Sequence, residues 1–321
     1  MKLTFNQLKG QLDKLSDIVV IYGEDYYLRE KAAEQIEKSL NLDFVDLNKE
    51  VLAQAPMEKI TDACVTMPFM SGRRLVIAED YAVPKGRDQK EREIIENYAK
   101  NPTLTTMLVF VTETLPSVLD GITNADYVDC KKLDGNTLEK WITVFCRKEG
   151  KQISPYDARL LADYCLGDMS RISTETKKLC DFSDREITKE DIDLMVEKDN
   201  EIKLYELAND IANKNCDKAF LSAKNLLDKG VTVSALVSSV YRTFRRMFYS
   251  LVSSGTGQKE MASYLGVQPF AVAKAREVAQ KFSPVKLKKA LEICAEADEN
   301  IRKNINNNAV INFLILSLIN I

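Results

Sequence analysis

The residues best placed to do chemistry form a glycine turn after a short apolar run. The run Ile18–Tyr22 has the pattern of a buried strand, and Gly23 closes it. A phosphate-binding loop, G-x-x-x-x-G-K-[ST], would begin at this glycine, but its second glycine, lysine and hydroxyl are all missing. Glu24 and Asp25 instead place carboxylates where phosphates would bind at a helix N-terminus. The sequence therefore predicts a degenerate, non-functional nucleotide loop at Gly23, Glu24 and Asp25, without ATP hydrolysis.

Two further features of the sequence weigh against other catalytic chemistry. The segment Leu75–Asp80 resembles the strand with an acidic end found in ATPases, but without a lysine loop its ordinary interpretation is a buried strand that meets solvent. The sequence contains no histidine, which excludes Ser-His-Asp and Cys-His nucleophiles, histidine metal sites and histidine general bases. We therefore predict no catalytic residue, no metal ligand and no cofactor.

Composition is that of an ordinary globular chain. The 321 residues are 45% hydrophobic and 29% charged, and this length predicts two or three domains. No apolar run approaches the roughly 18–20 residues of a membrane span, and the N-terminus lacks the apolar core of a signal peptide. Seven cysteines without a C-x-x-C pair indicate reduced thiols. The predicted location is cytoplasmic.

Apolar runs alternate with helical patterns in the first third of the chain. The predicted strands are Ile18–Tyr22, Phe44–Leu47, Leu75–Ala78, Met107–Val111 and Tyr127–Cys130. Helices are predicted between them over Tyr27–Leu40, Met57–Thr66 and Glu91–Lys100. Because strands separated by such helices usually join in parallel, the pattern predicts an α/β domain with a parallel sheet.

From Asn136 onward the strand pattern disappears and helical spacing replaces it. Ser154-Pro155 and Thr188–Asp191 resemble capped helix starts. Two apolar stripes follow, one formed by Leu204, Leu207, Ala208 and Ile211, the other by Leu236, Val237, Val240, Phe244, Phe248 and Leu251. The pattern predicts a small helical domain to about residue 199 and further helices to the end of the chain.

Charge is distributed unevenly between the two parts of the chain. Residues 1–200 carry 28 lysines and arginines against 37 acidic residues, whereas residues 201–321 carry 17 against 11. A basic C-terminal region is compatible with binding to nucleic acid or to acidic protein partners. The excess is small, however, and well below the balance of a dedicated nucleic-acid-binding domain.

Several motifs, taken in order, resemble one known family. Ile21–Leu28 (IYGEDYYL) is followed after about forty residues by Met67–Val76 (MPFMSGRRLV). Later matches are Trp141-Ile142, Gly150–Ile153, Tyr264–Val267, Ala275-Arg276, Phe282-Ser283 and Leu291–Asp298. Together, along the whole chain, these motifs resemble the delta subunit of the bacterial DNA polymerase III clamp loader.

The resemblance implies a fold, a function and a set of partners. It implies a degenerate AAA+-like α/β domain of the P-loop NTPase type over residues 1–135, which binds the clamp. A small helical lid-like domain (136–199) and an all-α collar for oligomerisation (200–321) follow. The implied function is to bind the sliding clamp (beta) and open its ring for loading onto primed DNA during replication. Implied partners are the clamp, the gamma/tau and delta prime subunits through the collar, and primed DNA, with no membrane. No catalysis is expected on this chain alone, although as a holoenzyme subunit it would be classed nominally under DNA-directed DNA polymerase.

The resemblance also places the clamp-binding residues. In the family a hydrophobic pair at the end of a helix holds the clamp, and the pair falls on Pro68 and Phe69, with Met67 just before. The family commonly has an aliphatic residue where Pro68 stands, so Met67 is expected to supply part of the contact.

The residues themselves fit an exposed apolar plug. Pro68 ends the helix that begins at Met57, and Phe69 and Met70 then precede the polar turn Ser71–Arg74. An exposed Phe in a partner's pocket is a common interface hot spot. The alternative is that Phe69 packs under its own turn as ordinary core. Met70, Arg73 and Arg74 are further candidates, because the two arginines can pair with acidic clamp residues or remain solvated.

The basic C-terminal region contains a competing motif. Glu260–Val272 has the spacing of a helix-turn-helix with Gly266 at the turn, and the second helix carries Lys274, Arg276 and Lys281. Its first turn, Pro269–Val272, offers no Arg, Asn or Gln to base edges, which weighs against sequence-specific reading. A helix-turn-helix DNA-binding regulator remains an alternative function, as does an AAA+ type ATPase.

Three further arginines are candidate contacts to DNA or to neighbouring subunits. Arg242, Arg245 and Arg246 lie close together on one predicted helix. They either face DNA phosphates, contact other subunits or are solvated.

Overall fold

The computed structural model describes residues 1–253, 255–267, 269–303 and 305–321. These residues form two compact units, 1–133 and 134–321, which we call the N-terminal and C-terminal units. The further division of the second unit near residue 200 into a lid and a collar stays a prediction.

A six-stranded parallel sheet forms the centre of the N-terminal unit, all of whose residues are described. Its strands are β1 (Lys2–Thr4), β2 (Ile18–Tyr22), β3 (Lys49–Ala53), β4 (Arg74–Glu79), β5 (Thr106–Thr112) and β6 (Ala125–Asp129). The helices are α1 (Phe5–Leu8), α2 (Tyr26–Ser39), α3 (Val45–Asn48), α4 (Met57–Cys64) and α5 (Asp88–Lys100). The strand order is β1-β6-β2-β5-β4-β3, and every neighbouring pair is parallel. The predicted α/β domain with a parallel sheet is confirmed.

Helices α4 and α5 pack on one face of this sheet. Met57 and Ile60 of α4 and Ile95 of α5 are fully buried, in one cluster with Leu108 and Phe110 of β5. Since such apolar burial stabilises the contact between helix and sheet, α4 is fixed along its length up to the point where it ends.

One strand prediction is wrong. Phe44–Leu47 was expected as a strand, but the short helix α3 begins at Val45 and the strand β3 follows it from Lys49. Phe44 has a left-handed backbone, with φ of +49°, and its side chain is exposed. The apolar run therefore lies at the surface, while the edge strand β3 buries only Leu52 and has no apolar run to reveal it.

The C-terminal unit is mostly helical, as predicted. Its helices are α6 (Gly135–Lys148), α7 (Pro155–Tyr164), α8 (Met169–Phe182), α9 (Lys189–Met195), α10 (Asn200–Ala212), α11 (Cys216–Asp228), α12 (Val233–Val252), α13 (Gln258–Leu265), α14 (Pro269–Ala279), α15 (Pro284–Arg302) and α16 (Asn307–Ile319). Thr188 and Asp191 form the predicted capping box of α9. Two short strands, β7 (Gln152–Ile153) and β8 (Glu186–Ile187), pair in parallel and were not predicted, because two residues carry no periodic pattern.

Two general features of the side chains complete the description. All seven cysteines are free and all but Cys216 are buried. Burial raises the pKa of the Cys64 and Cys130 thiols to about 12, so these groups behave as protonated core side chains. None of the helices in the described ranges combines the length and apolarity that a membrane span requires.

Candidate partner-binding site

The connection between α4 and β4 carries exposed apolar side chains. Met67, Phe69 and Met70 are 75%, 53% and 73% exposed, and we call these three side chains the apolar tip. Pro68 lies half-buried between them. Phe69 is thus not a core residue, and Met70 offers more surface than Pro68, the residue that the resemblance placed in the hydrophobic pair. Contiguous exposed apolar side chains of this size are typical of a surface that meets a partner.

A buried amide holds the backbone of the tip. Asn48, at the end of α3, is fully buried. Its Oδ1 accepts a hydrogen bond of 2.7 Å from the Phe69 backbone N–H, and its Nδ2 donates one of 2.8 Å to the Phe69 carbonyl oxygen. Both chain segments enter adjacent parallel strands, β3 and β4, at the same edge of the sheet, which brings Asn48 and Phe69 together.

Phe44 lies beside the apolar tip. Its ring packs edge-to-face on the ring of Phe69, with 6.2 Å between centroids. Val45 and Leu47 are also exposed on this short segment. The apolar surface is therefore larger than the tip alone, and it includes residues that the sequence had placed in a strand.

Arg73 and Arg74 have partners within the chain. Arg73 forms an ion pair with Asp17 and donates a hydrogen bond to the Leu104 carbonyl oxygen. Arg74 is buried, pairs with Glu50 and donates a 3.0 Å hydrogen bond to the Leu47 carbonyl oxygen. The expectation that both arginines are available to a partner is therefore corrected, because Arg74 is committed to holding α3.

A buried carboxylate fixes the start of α4. Glu91 of α5 accepts a 2.8 Å hydrogen bond from the Met57 backbone N–H and a 2.9 Å bond from the Tyr81 hydroxyl. Its negative charge at this helix N-terminus is also electrostatically favourable. Glu91 and the packed face of α4 thus fix the helix that precedes the apolar tip.

The degenerate nucleotide loop is closed by its own side chains. Gly23 has φ of +140°, and a Cβ there would lie 2.3 Å from the carbonyl carbon of Cys130. The Asp25 carboxylate accepts a 3.0 Å hydrogen bond from the Leu28 N–H and so caps α2. The Arg29 guanidinium donates to the Gly23 carbonyl oxygen. The N-terminus of α2, where a phosphate would bind, is therefore occupied from within the chain.

The three candidate arginines of α12 have different surroundings. Arg246 makes a bidentate ion pair with Glu201, at 2.7 and 3.0 Å, so its candidate role in DNA contact is corrected to a structural one. Burial opposes the charge of Arg246, but the interactions with Glu201 and Tyr205 together outweigh the effect of burial and raise the pKa of the guanidinium. Arg242 is exposed and lines a cavity of about 450 Å³ between α12 and α15. Arg245 is exposed and lies over the Tyr249 ring.

The helix-turn-helix motif is present, but its second helix is turned inward. Gly266 has φ of +64° at the turn, and Ala271 and Val272, in the first turn of α14, are buried. The Lys274 ammonium lies 3.0 Å from Glu277, and Arg276 donates to a backbone carbonyl. Lys281 likewise donates to a side-chain amide, and Gln268 of the motif lies outside the described residues. A helix with this buried start and these engaged cations does not present base-reading groups.

Two sequence models of one family match the chain. The model described as DNA polymerase III, delta subunit, matches residues 20–123, and the model described as DNA polymerase III delta subunit, C-terminal domain, matches residues 201–318. The chain belongs to the DNA polymerase III delta subunit family. The first match of this delta-family chain contains the degenerate loop and the apolar tip, and the second contains the arginines of α12.

Individual relatives agree with the family. DNA polymerase III subunit delta of Bacillus subtilis (strain 168) is 29% identical over 311 residues, which cover 89% of this chain and 87% of that protein. The solved structure of the Bacillus subtilis DNA clamp loader delta protein has a TM-score of 0.77 at 24% identity, covering 99% of this chain and 100% of that one. This delta-family chain therefore has the fold of that protein.

Asn48, Phe44 and Glu91 are the site residues that sequence reasoning missed. The only signal for Asn48 was a polar residue at the end of an apolar run, and nothing in the sequence indicated its partner 21 residues away. Phe44 is the first residue of a segment that the sequence predicts as a strand. Glu91 was one acidic residue among several on a predicted helix. Each role depends on contacts across the fold that no local pattern encodes.

Proposed function

We propose that this delta-family chain is the subunit of the DNA polymerase III clamp loader that binds the sliding clamp and opens its ring. The observation that carries the proposal is the apolar tip, three exposed side chains in the connection after α4. Glu91 fixes the start of this helix, and Asn48 holds the backbone of the tip. The clamp is the proposed occupant because the tip falls on the clamp-binding element of the family.

The proposed mechanism is mechanical. Phe69 enters an apolar pocket of the clamp, while Met67 and Met70 adapt their flexible side chains to the pocket rim. Truncation of such an aromatic anchor costs about 2–4 kcal/mol of binding free energy. Binding shifts the ring toward the open form only by the difference between its affinities for the open and closed clamps. The ring therefore opens if the surface around the tip fits the open interface better.

The remaining parts of the chain connect the clamp-binding domain to the other subunits of the loader. We propose that residues 1–135 bind the clamp, that residues 136–199 form a lid-like domain, and that residues 200–321 form a collar. The collar contacts the gamma/tau and delta prime subunits, and ATP is handled by other subunits of the loader. The exposed Arg242 and Arg245 face these neighbours or the phosphates of primed DNA.

The test is an equilibrium titration of the purified chain with the sliding clamp. Phe69→Ala is expected to raise the Kd by about 30-fold or more, since 1.4 kcal/mol corresponds to a factor of ten. Tyr26→Ala is the matched control, because Tyr26 is an exposed aromatic residue that follows β2 at the opposite edge of the sheet. An unchanged Kd for a folded Phe69→Ala variant contradicts the site, and absence of clamp binding by the wild type contradicts the function.

A further inference from the structure

We infer that Asn48 is a positioning residue that holds Phe69 and Phe44 as one aromatic contact surface for the clamp. The inference rests on the proposed function and deepens it, because it assigns two residues outside the α4–β4 connection to the same contact. It concerns how the exposed conformation of the tip is maintained before the partner arrives.

The hydrogen bonds of Asn48 tie two segments together. The Asn48 side chain bonds both polar groups of the Phe69 backbone. Its Nδ2 also donates a 2.7 Å hydrogen bond to the Asp43 carbonyl oxygen. The Asp43 backbone N–H in turn donates to the Ser71 hydroxyl at 3.4 Å. A side-chain amide has one acceptor oxygen and two N–H donors, so Asn48 uses all of its groups on these segments. A smaller apolar residue would leave the Phe69 backbone without its partner.

The exposed conformation of the apolar tip requires hydrogen bonds that restrain its backbone. Phe44 and Met70 both adopt left-handed backbone conformations, with φ of +49° and +48°, which non-glycine residues rarely occupy without support from their surroundings. An unrestrained loop with three large apolar side chains would relax to cover them, since apolar burial is favourable. The amide of Asn48 opposes this by fixing the peptide of Phe69 on both sides.

The two aromatic rings then form a preorganised surface. Phe44 is 56% exposed and Phe69 is 53% exposed, and their edge-to-face contact leaves both rings open to a partner. Residues already held in their bound geometry lose less conformational freedom on association. Phe44 is therefore a second anchor of the clamp contact, continuous with the apolar tip.

The experiment is a double-mutant cycle on clamp affinity in the full chain. Asn48→Ala and Phe44→Ala are each expected to raise the Kd by about 5- to 20-fold, while Tyr26→Ala changes it by less than about 2-fold. In a Phe69→Ala background, Asn48→Ala is expected to raise the Kd by a smaller factor than in the wild type, because one of the two rings that it positions is already missing. A purely structural role for Asn48 would instead weaken binding equally in both backgrounds.

A measurement on the wild-type chain keeps the inference testable if Asn48→Ala does not fold. The Phe69 amide is expected to exchange with solvent deuterium at least about 100-fold more slowly than in an unstructured peptide, because it donates to a buried group. Unprotected exchange overturns the inference, and so does an effect of Phe69→Ala on affinity with none from Phe44→Ala or Asn48→Ala. If Phe69→Ala itself changes nothing, the proposed function fails as well, so the two failures are distinguishable.

Discussion

The guanidinium of Arg29 donates a hydrogen bond to the carbonyl oxygen of Gly23, the residue at which a phosphate-binding loop would begin. Arg29 is buried, and its side chain also lies 5.9 Å from the Tyr26 ring centroid. Asp25 caps the same helix by accepting a hydrogen bond from the Leu28 N–H, one of the first-turn groups that a helix leaves unpaired. Protein groups therefore lie where a phosphate would bind.

We expect the isolated chain to bind no ATP. The Asp25 carboxylate repels phosphate and already accepts the N–H group of α2 to which a phosphate would bind. A titration with a fluorescent ATP analogue and Mg²⁺, up to about 1 mM, is expected to show no saturable signal at a Kd below that concentration. A micromolar Kd would overturn the assignment of a degenerate loop.

Gly23→Ala should destabilise the N-terminal unit strongly. The added Cβ would meet the backbone of Cys130 at 2.3 Å, in a left-handed conformation that alanine disfavours. The expected loss of unfolding free energy is at least about 2–3 kcal/mol, measured by denaturant titration. Gly121→Ala is the control, because Gly121 has φ of +72° but open space around it, and we expect about 1 kcal/mol. Equal losses would show that the close approach to Cys130 has no energetic role.

Glu91→Ala should destabilise the same unit through helix α4. The substitution leaves the buried Met57 N–H and the Tyr81 hydroxyl without their acceptor, which costs about 2–3 kcal/mol of unfolding free energy. Tyr81→Phe removes only one of the two hydrogen bonds and is expected to cost about 1 kcal/mol. Thermal and urea unfolding measure both. A Glu91→Ala variant as stable as Tyr81→Phe would mean that the bond to α4 contributes nothing.

The fold could be predicted from the sequence where a pattern is local. The runs around Val19 and Leu108 are apolar because β2 and β5 are covered on both faces, so they were recognisable as strands. The sequence predicts a strand over Phe44–Leu47, whereas the edge strand β3 begins only at Lys49. The prediction is wrong because Phe44–Leu47 has the apolar composition of a buried strand although it lies at the surface. Apolar composition alone cannot distinguish a core strand from a surface that awaits a partner.

The candidate site was predicted only in part, for the same reason. Phe69 was placed correctly at the surface, but its role came from the family resemblance. The helix that was expected to end at Pro68 ends at Cys64, four residues earlier. Asn48 acts through a partner 21 residues away, and Arg74 through the carbonyl of Leu47. Such contacts follow from the adjacency of β3 and β4, which no local spacing reveals.

The arginines of α12 should separate into structural and exposed groups. Arg246→Met removes a partly buried bidentate pair with Glu201 and is expected to lower the unfolding free energy of the C-terminal unit by about 1–3 kcal/mol. Arg242→Met, at an exposed site on the same helix, should change it by less than about 0.5 kcal/mol. Denaturant unfolding compares the two directly. The reverse order would contradict the structural assignment of Arg246.

The central claim is that the chain opens a ring by binding energy alone, through the apolar tip. The most direct measurement is the loss of labelled sliding clamp from closed circular DNA after the chain is added without nucleotide. We predict that the wild type accelerates this loss at least about 10-fold, that Tyr26→Ala does the same, and that Phe69→Ala leaves the spontaneous rate unchanged. Loss that requires ATP, or that Phe69→Ala accelerates as well as the wild type does, would contradict the account.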